Sequence, residues 1–280
     1  MSTVGDIKKR VIEKLNQNKI ADFQFEAISL IANVLCLKRS QVIIENQIKI
    51  TNKQVSNINF LIEKRIEGKP LAYLINEKCF YNEKFFVDEN VLIPRQETEE
   101  LLDYFFLVNK DKSLKNKNIL DIGTGSGIIS IMCKIKYPYS NVISIDKSDK
   151  AIVIAKKNAL EKKLSIKFKK TDISNCKINK IDYVISNPPY IKSSIVKNLQ
   201  KEVLNEPKIA LDGGLDGLSV IKKIFEWEKN ININYAEKII LEIDKNIKKE
   251  AKILAENFYP NKKVEIIDDI AKKPRILYIN

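Results

Sequence analysis

At 280 residues with 44% hydrophobic content, the chain can bury one full α/β core and leave a smaller second domain, and its formal charge of +13 invites a polyanion such as ribosomal or transfer RNA. The lysines, however, are scattered among Ile and Asn, as a compositionally biased genome would produce, so direct nucleic-acid binding is not expected to be the main task. No apolar run reaches the ~18 residues of a membrane span, Met1 to Asp6 shows no secretory signal, and four separated cysteines without any histidine argue against a metal site and for reduced thiols in a cytoplasm.

Residues 1–70 read as a helical domain. Ile7, Val11, Ile12 and Leu15 recur at helical spacing, as do Ala27, Ile28, Ile31, Val34 and Leu35. Thr51 with Gln54 predicts a capping box ahead of Val55, Ile58, Leu61 and Ile62, and Gly68-Lys69-Pro70 predicts a stop. From Ala72 to Asp88, β-rich runs (Ala72 to Ile75, Cys79-Phe80-Tyr81, Phe85-Phe86-Val87) flank the polar Asn76-Glu77-Lys78, which predicts a β-hairpin linker over 71–91. An amphipathic helix, Glu97 to Leu107, then opens a third part, 92–280.

From Asn118 onward strand and helix alternate. Strands are expected at Asn118 to Ile122, Asn141 to Ile145, Ser165 to Lys169, Ile181 to Ser186, Lys238 to Ile243, Lys263 to Ile267 and Arg275 to Ile279. Seven strands in this pattern predict an α/β, doubly wound, mainly parallel sheet with ligands at the strands' carboxyl ends and the last two strands antiparallel. The first strand runs into Gly123-Thr124-Gly125-Ser126-Gly127, whose glycines let a backbone pass close to a ligand. Asp146, 19 positions past Gly127 at the tip of the second strand, is placed to accept hydrogen bonds from ribose hydroxyls. The spacing is G-x-G-x-G, whereas dinucleotide enzymes show G-x-G-x-x-G; on the glycines alone a nicotinamide site stays open.

The fourth strand ends in Asn187-Pro188-Pro189-Tyr190. Two prolines fix φ and remove two N–H donors, so this corner offers acceptors: backbone carbonyls and the Asn187 amide oxygen, with the Tyr190 ring beside them. Such a set suits a planar NH2 group. Adenine N6, guanine N2 and a glutamine side chain all present one.

Asp121 to Gly127 together with Asn187 to Tyr190 resembles a class I S-adenosylmethionine-dependent methyltransferase acting on a planar nitrogen. Leu92 to Leu101, Gly68 to Tyr73 and Glu206 to Leu218 resemble more narrowly the bacterial peptide chain release factor glutamine N5-methyltransferases; one departure is Gln96, where that family usually has Pro. The resemblance implies S-adenosylmethionine as cofactor and S-adenosylhomocysteine as product, held by Gly123, Thr124, Gly125, Ser126, Gly127, Asp146, Asp172, Ile173 and Asn187. Asp172 would accept from the adenine amine and Ile173 flank the ring, while Arg95, Thr98 and Glu99 would lie near the methionine end. It further implies catalysis by Asn187, Pro188, Pro189 and Tyr190, with Asn187 Oδ1 and the Pro188 carbonyl each accepting one N–H of the glutamine and Tyr190 packing on the amide plane. Release factors are then the protein substrate, helped into place by the helical domain, and a cytoplasmic monomer is expected. The alternatives are a nucleic-acid methyltransferase acting on an exocyclic amine, and a non-catalytic nucleoside-binding protein.

Overall fold

The computed structural model describes residues 2–178, 180–230 and 236–280. By internal contacts the chain forms two compact units, Met1–Glu77 with Gln200–Asn205, and Lys78–Leu199 with Glu206–Asn280. The boundary therefore falls at Glu77 rather than near residue 70, and the hairpin expected as a linker belongs to the second unit.

In the first unit a short strand β1 (Ser2–Thr3) leads into helices α1 (Val4–Gln17), α2 (Phe23–Leu35) and α3 (Arg39–Ile44); β2 (Lys49–Ile50) pairs back onto β1, and α4 (Asn52–Ile66) and α5 (Leu71–Ile75) follow. Of the periodic residues, Ile7, Val11, Leu15, Ala27, Ile31, Ile58 and Ile62 are buried in one core, and Ile12, Ile28, Val34, Leu35, Val55 and Leu61 pack half-buried against it. The capping box of α4 is formed, with Thr51 Oγ1 accepting from Gln54 N at 3.2 Å and Gln54 Oε1 accepting from Thr51 N at 2.8 Å. Near the end of α4 the buried Arg65 donates to Glu26 (Nε to Oε2, 2.5 Å; Nη2 to Oε1, 3.0 Å) and to Glu202 on the returning segment at 2.6 Å. A buried guanidinium needs such partners, so Arg65 ties α2, α4 and Gln200–Asn205 together.

Ala72 to Ile75 departs from the strand reading. These residues are helical because Leu71, Leu74 and Ile75, at i, i+3 and i+4, turn one apolar face onto the same core.

The second unit begins with the antiparallel hairpin β3 (Lys78–Phe80) and β4 (Glu83–Phe85), which is shorter than expected. It is held to α6 (Gln96–Leu107) where Tyr81 N donates to Glu99 Oε1 at 2.8 Å. Then come β5 (Asn118–Ile122), α7 (Ile128–Lys136), β6 (Asn141–Asp146), α8 (Asp149–Glu161), β7 (Lys167–Lys170), β8 (Tyr183–Ser186), α9 (Ser193–Val196), α10 (Ser219–Asn230), β9 (Lys238–Glu242), α11 (Lys248–Phe258), β10 (Val264–Asp268) and β11 (Pro274–Ile279). The sheet order is β10-β11-β9-β8-β5-β6-β7, parallel except for β11, which runs antiparallel to both neighbours. This is the expected doubly wound, mainly parallel seven-stranded sheet. Buried apolar side chains form a core on each face, one around Val184, Ile239 and Phe225, the other around Ile119, Ile185 and Phe105. Chain order reverses between β5 and β8, and Ile122 lies level with Ser186 there, so the loops leaving these two strands meet at one edge.

Candidate active site

The glycine loop is held from beneath by Asp121. Fully buried at the end of β5, its Oδ2 accepts from Thr124 Oγ1 (2.6 Å), Ser144 Oγ (3.1 Å) and Ser130 N (3.2 Å), which fastens the loop to β6 and to the first turn of α7. Burial holds this carboxyl at about 6, above the ordinary carboxylate range, and the three donors limit the rise. Above it Gly123 and Gly125 take positive φ (74° and 54°) with nothing within 4 Å of where a Cβ would stand, so their outer face is open to a ligand. Gly127 instead faces inward, where a Cβ would sit 3.1 Å from that of Ala155; it sets how closely α7 and α8 pack. Asn158 on α8 pins the loop sideways, donating to Ser126 O at 2.8 Å and to Phe86 O at 3.0 Å.

Asp146, at the end of β6, accepts from Gly125 N (3.0 Å) through Oδ2 and from Ser148 N (2.8 Å) through Oδ1. Burial raises its pKa, and each oxygen keeps a further lone pair for a ligand hydroxyl. Asp172, after β7, accepts from Ser174 N at 3.0 Å, the bond that chiefly lowers its pKa.

The second half of the site is the corner after β8, a strand buried along its whole length. Asn187 is half-buried, and its Nδ2 donates to Thr98 Oγ1 at 3.0 Å. The Thr98 hydroxyl in turn donates to Glu242 Oε2 at 2.8 Å, and the Tyr190 hydroxyl reaches Glu242 Oε1 at 3.2 Å. Burial lifts Glu242 to about 7 and pushes the Tyr190 phenol well up. The corner is braced from behind by the loop before α10: Ile191 N donates to Leu211 O at 3.1 Å and Gly213 N to Ile191 O at 2.8 Å. A Cβ on Gly213 would lie 2.7 Å from Pro189 O, and one on Gly217 2.5 Å from Tyr190 O, so only glycine admits this approach.

Both halves open onto one cleft, whose space including the part open to solvent is ≈ 1090 Å³. Gly123 to Ser126, Asp146, Asp172, Ile173, Asn187 and Pro189 line it, as do Arg95 and Thr98. Gly127, Pro188 and Tyr190 are absent from the lining. Tyr190 is expected on the amide plane of an acceptor, but its hydroxyl is turned to Glu242. Glu99 also lies elsewhere, on the hairpin at Tyr81 N. Arg95 pairs with the buried Glu206, whose Oε2 accepts from Ile93 N at 3.0 Å. Gln96 opens α6 at the position where proline is favoured because the N–H has no helical partner, so glutamine costs that turn little. Thr98 does not cap α6, whose N-cap, Arg95, makes no side-chain capping bond. Sequence reasoning missed Glu242, which reads as the tail of a buried strand, and Val220 and Lys223, which read as one face of an amphipathic helix.

The profile of the Methyltransferase small domain family matches residues 104–268, and that of the PrmC N-terminal domain family residues 6–75. The Thermodesulfovibrio yellowstonii protein named release factor glutamine methyltransferase is 36% identical over 275 residues, 96% of this chain and 98% of that one. The chain belongs to the release factor glutamine methyltransferase family. A Flavobacterium psychrophilum protein of the same name is 36% identical over 251 residues, 87% of each chain. Among solved structures, a Pyrococcus furiosus methyltransferase shares the fold at 16% identity and TM-score 0.51, covering 80% of this enzyme and 98% of that chain. A T. thermophilus 16S rRNA methyltransferase in complex with AdoMet and guanosine does so at 12% identity and TM-score 0.52, covering 73% and 49%.

Proposed function

We infer that the enzyme transfers a methyl group from S-adenosylmethionine to the side-chain amide nitrogen, N5, of the glutamine in the Gly-Gly-Gln loop of peptide chain release factors. The observation that carries this reading is the convergence of an acceptor-bearing corner, Asn187 and Pro189, with the Gly123–Ser126 loop and Asp146 in one cleft of a chain belonging to this family. The residues fit the cofactor. Gly123 and Gly125 leave their outer face clear for close approach, Asp146 keeps lone pairs for ribose hydroxyls, and Asp172 with Ile173 suits an adenine edge and face.

S-adenosylmethionine held there would supply an already activated sulfonium methyl, S-adenosylhomocysteine being the product left behind. The remaining task is to hold the amide in line and to favour the charge that builds on its nitrogen as amide resonance is lost. Asn187 Oδ1 accepts one N–H and the Pro188 carbonyl, in the peptide bond to the cleft-lining Pro189, the other; among the described residues nothing else in the chain donates to either oxygen. Methylation of the amide nitrogen would release one of its protons, which passes to solvent through the open cleft. Tyr190 serves from behind, bracing the corner through Glu242. The helical unit, matched by the PrmC N-terminal domain profile, helps hold the factor. The site of action is the cytoplasm, where release factors work, and the enzyme acts as a monomer.

The test is labelled methyl transfer to a purified release factor, to its Gln→Ala variant in the Gly-Gly-Gln loop, and to total RNA and DNA in parallel. Label entering the factor and lost in the variant is expected. Label that enters RNA and ignores the factor overturns the reading.

A further inference from the structure

A carboxamide has two nearly isosteric ends, one an acceptor and the other a double donor. If Asn187 presented its NH2 to a glutamine NH2, donors would face donors. Only one of its two flip states can therefore work, and something in the chain must choose it.

The choice is visible in the direction of a buried hydrogen-bond chain. Thr98 has a single hydroxyl proton, and toward the ionised Glu242 carboxylate, which has none to give, that proton goes to Oε2 at 2.8 Å. Lone pairs are all its oxygen has left, so the group facing it must be a donor, and Asn187 turns Nδ2 to it at 3.0 Å. Oδ1 is thereby left toward the cleft that Asn187 lines. Thr98 and Glu242 are each 1% exposed, so solvent offers no substitute partner. The groups facing Glu242 are Thr98 and Glu97 from α6, Tyr190 from the corner and Arg275 from β11. Arg275 does not neutralise it by direct pairing, because its own hydrogen bonds go to Asp269 at 3.3 and 3.4 Å. A carboxylate buried at such cost, bonded to two hydroxyls instead of to the nearby cation, is explained by the orientations it imposes.

We propose that Thr98 and Glu242 are positioning residues whose one-way chain, Asn187 to Thr98 to Glu242, fixes the Asn187 carboxamide with its oxygen toward the amide to be methylated. This rests on the function inferred above. Neither residue touches the reacting atoms; Glu242 acts through Thr98, and Thr98 through Asn187.

The experiment compares Thr98→Val, Thr98→Ser, Glu242→Gln and the Thr98→Val/Glu242→Gln double variant with the wild type. It reads kcat and KM for the release factor, calorimetric cofactor affinity and melting temperature. Val keeps the shape of Thr without the acceptor, and Gln can offer Thr98 either end of its own amide, so each removes the directional constraint. Thr98→Val is expected to lower kcat roughly 10-fold to 100-fold, the range for one lost preorganising contact, with factor KM and cofactor affinity within about twofold of wild type. Thr98→Ser should restore most of the turnover. Glu242→Gln should lower kcat at least severalfold alone and clearly less than that in the double variant, because the share carried through the Thr98 hydroxyl is already gone and only its bond to Tyr190 is left to lose. Wild-type kcat in Thr98→Val, or multiplying effects in the double variant, overturns the proposal. If Thr98→Val fails to fold, undiminished kcat in Glu242→Gln overturns it instead. Wild-type protein inert toward the factor strikes the inferred function, which separates the two failures.

Discussion

Replacing Asn187 by alanine separates catalysis from folding and from cofactor binding. The side chain is half-buried and makes one hydrogen bond to the chain, so its loss should cost the fold only about 1 kcal/mol. The transition state loses more. An oriented, preorganised hydrogen-bonding group is worth about 2.7–4 kcal/mol, which at about 1.4 kcal/mol per decade is roughly 100-fold to 1000-fold in turnover. Cofactor affinity should change little, because the glycine loop is held independently by Asp121, Asn158 and the β6 strand. The assay is single-turnover transfer of labelled methyl to a release factor, alongside calorimetric titration of S-adenosylmethionine and a urea melt. Turnover within about fivefold of wild type, with cofactor binding intact, would refute the assignment of the oxygen to the acceptor amide.

Asp146→Ala removes a half-buried carboxylate that also accepts from Gly125 N and Ser148 N, so cofactor affinity should fall at least ~10-fold, the scale of one lost charged hydrogen bond; unchanged titration curves would take Asp146 out of the ribose site. Gly217→Ala puts a methyl 2.5 Å from Tyr190 O at a φ of +82°, and should lower stability by about 2 kcal/mol or more and turnover with it, read by thermal unfolding and the transfer assay. An unaltered melting temperature would show that the bracing loop yields easily. Glu26→Ala leaves Arg65 with the half-exposed Glu202 as its carboxylate partner, and should destabilise the helical unit by about 3 kcal/mol, the low end for breaking a buried pair. A shift below about 1 kcal/mol in urea unfolding would mean that water or Glu202 replaces the lost partner without penalty.

The features legible in the sequence are those set by local rules. Thr51 and Gln54 meet because a helix start brings residues three apart into reach, and the sequence alone announces that bond. Gly123 and Gly125 announce an open turn because no other residue adopts their φ so cheaply. The alternation of strands and helices determined the sheet, its mainly parallel order and the edge at which the loops after β5, β6 and β8 meet. Ala72 to Ile75 reads as a strand in the sequence because four apolar residues satisfy a strand and a helical turn alike, and only the core they pack on decides between them.

The chemistry at Asn187 divides in the same way. Its acceptor-rich setting follows from two prolines next to it in the chain, a consequence of covalent structure that no packing can alter. Which end of its amide faces outward depends on Thr98 and Glu242, 89 and 144 residues distant along the chain in their respective bonds. Thr98 by itself reads as a helix cap, and Glu242 as the polar end of a buried strand. Hydrogen-bond direction is a property of the assembled chain of donors and acceptors, so only the tertiary structure that buries these side chains together could decide it.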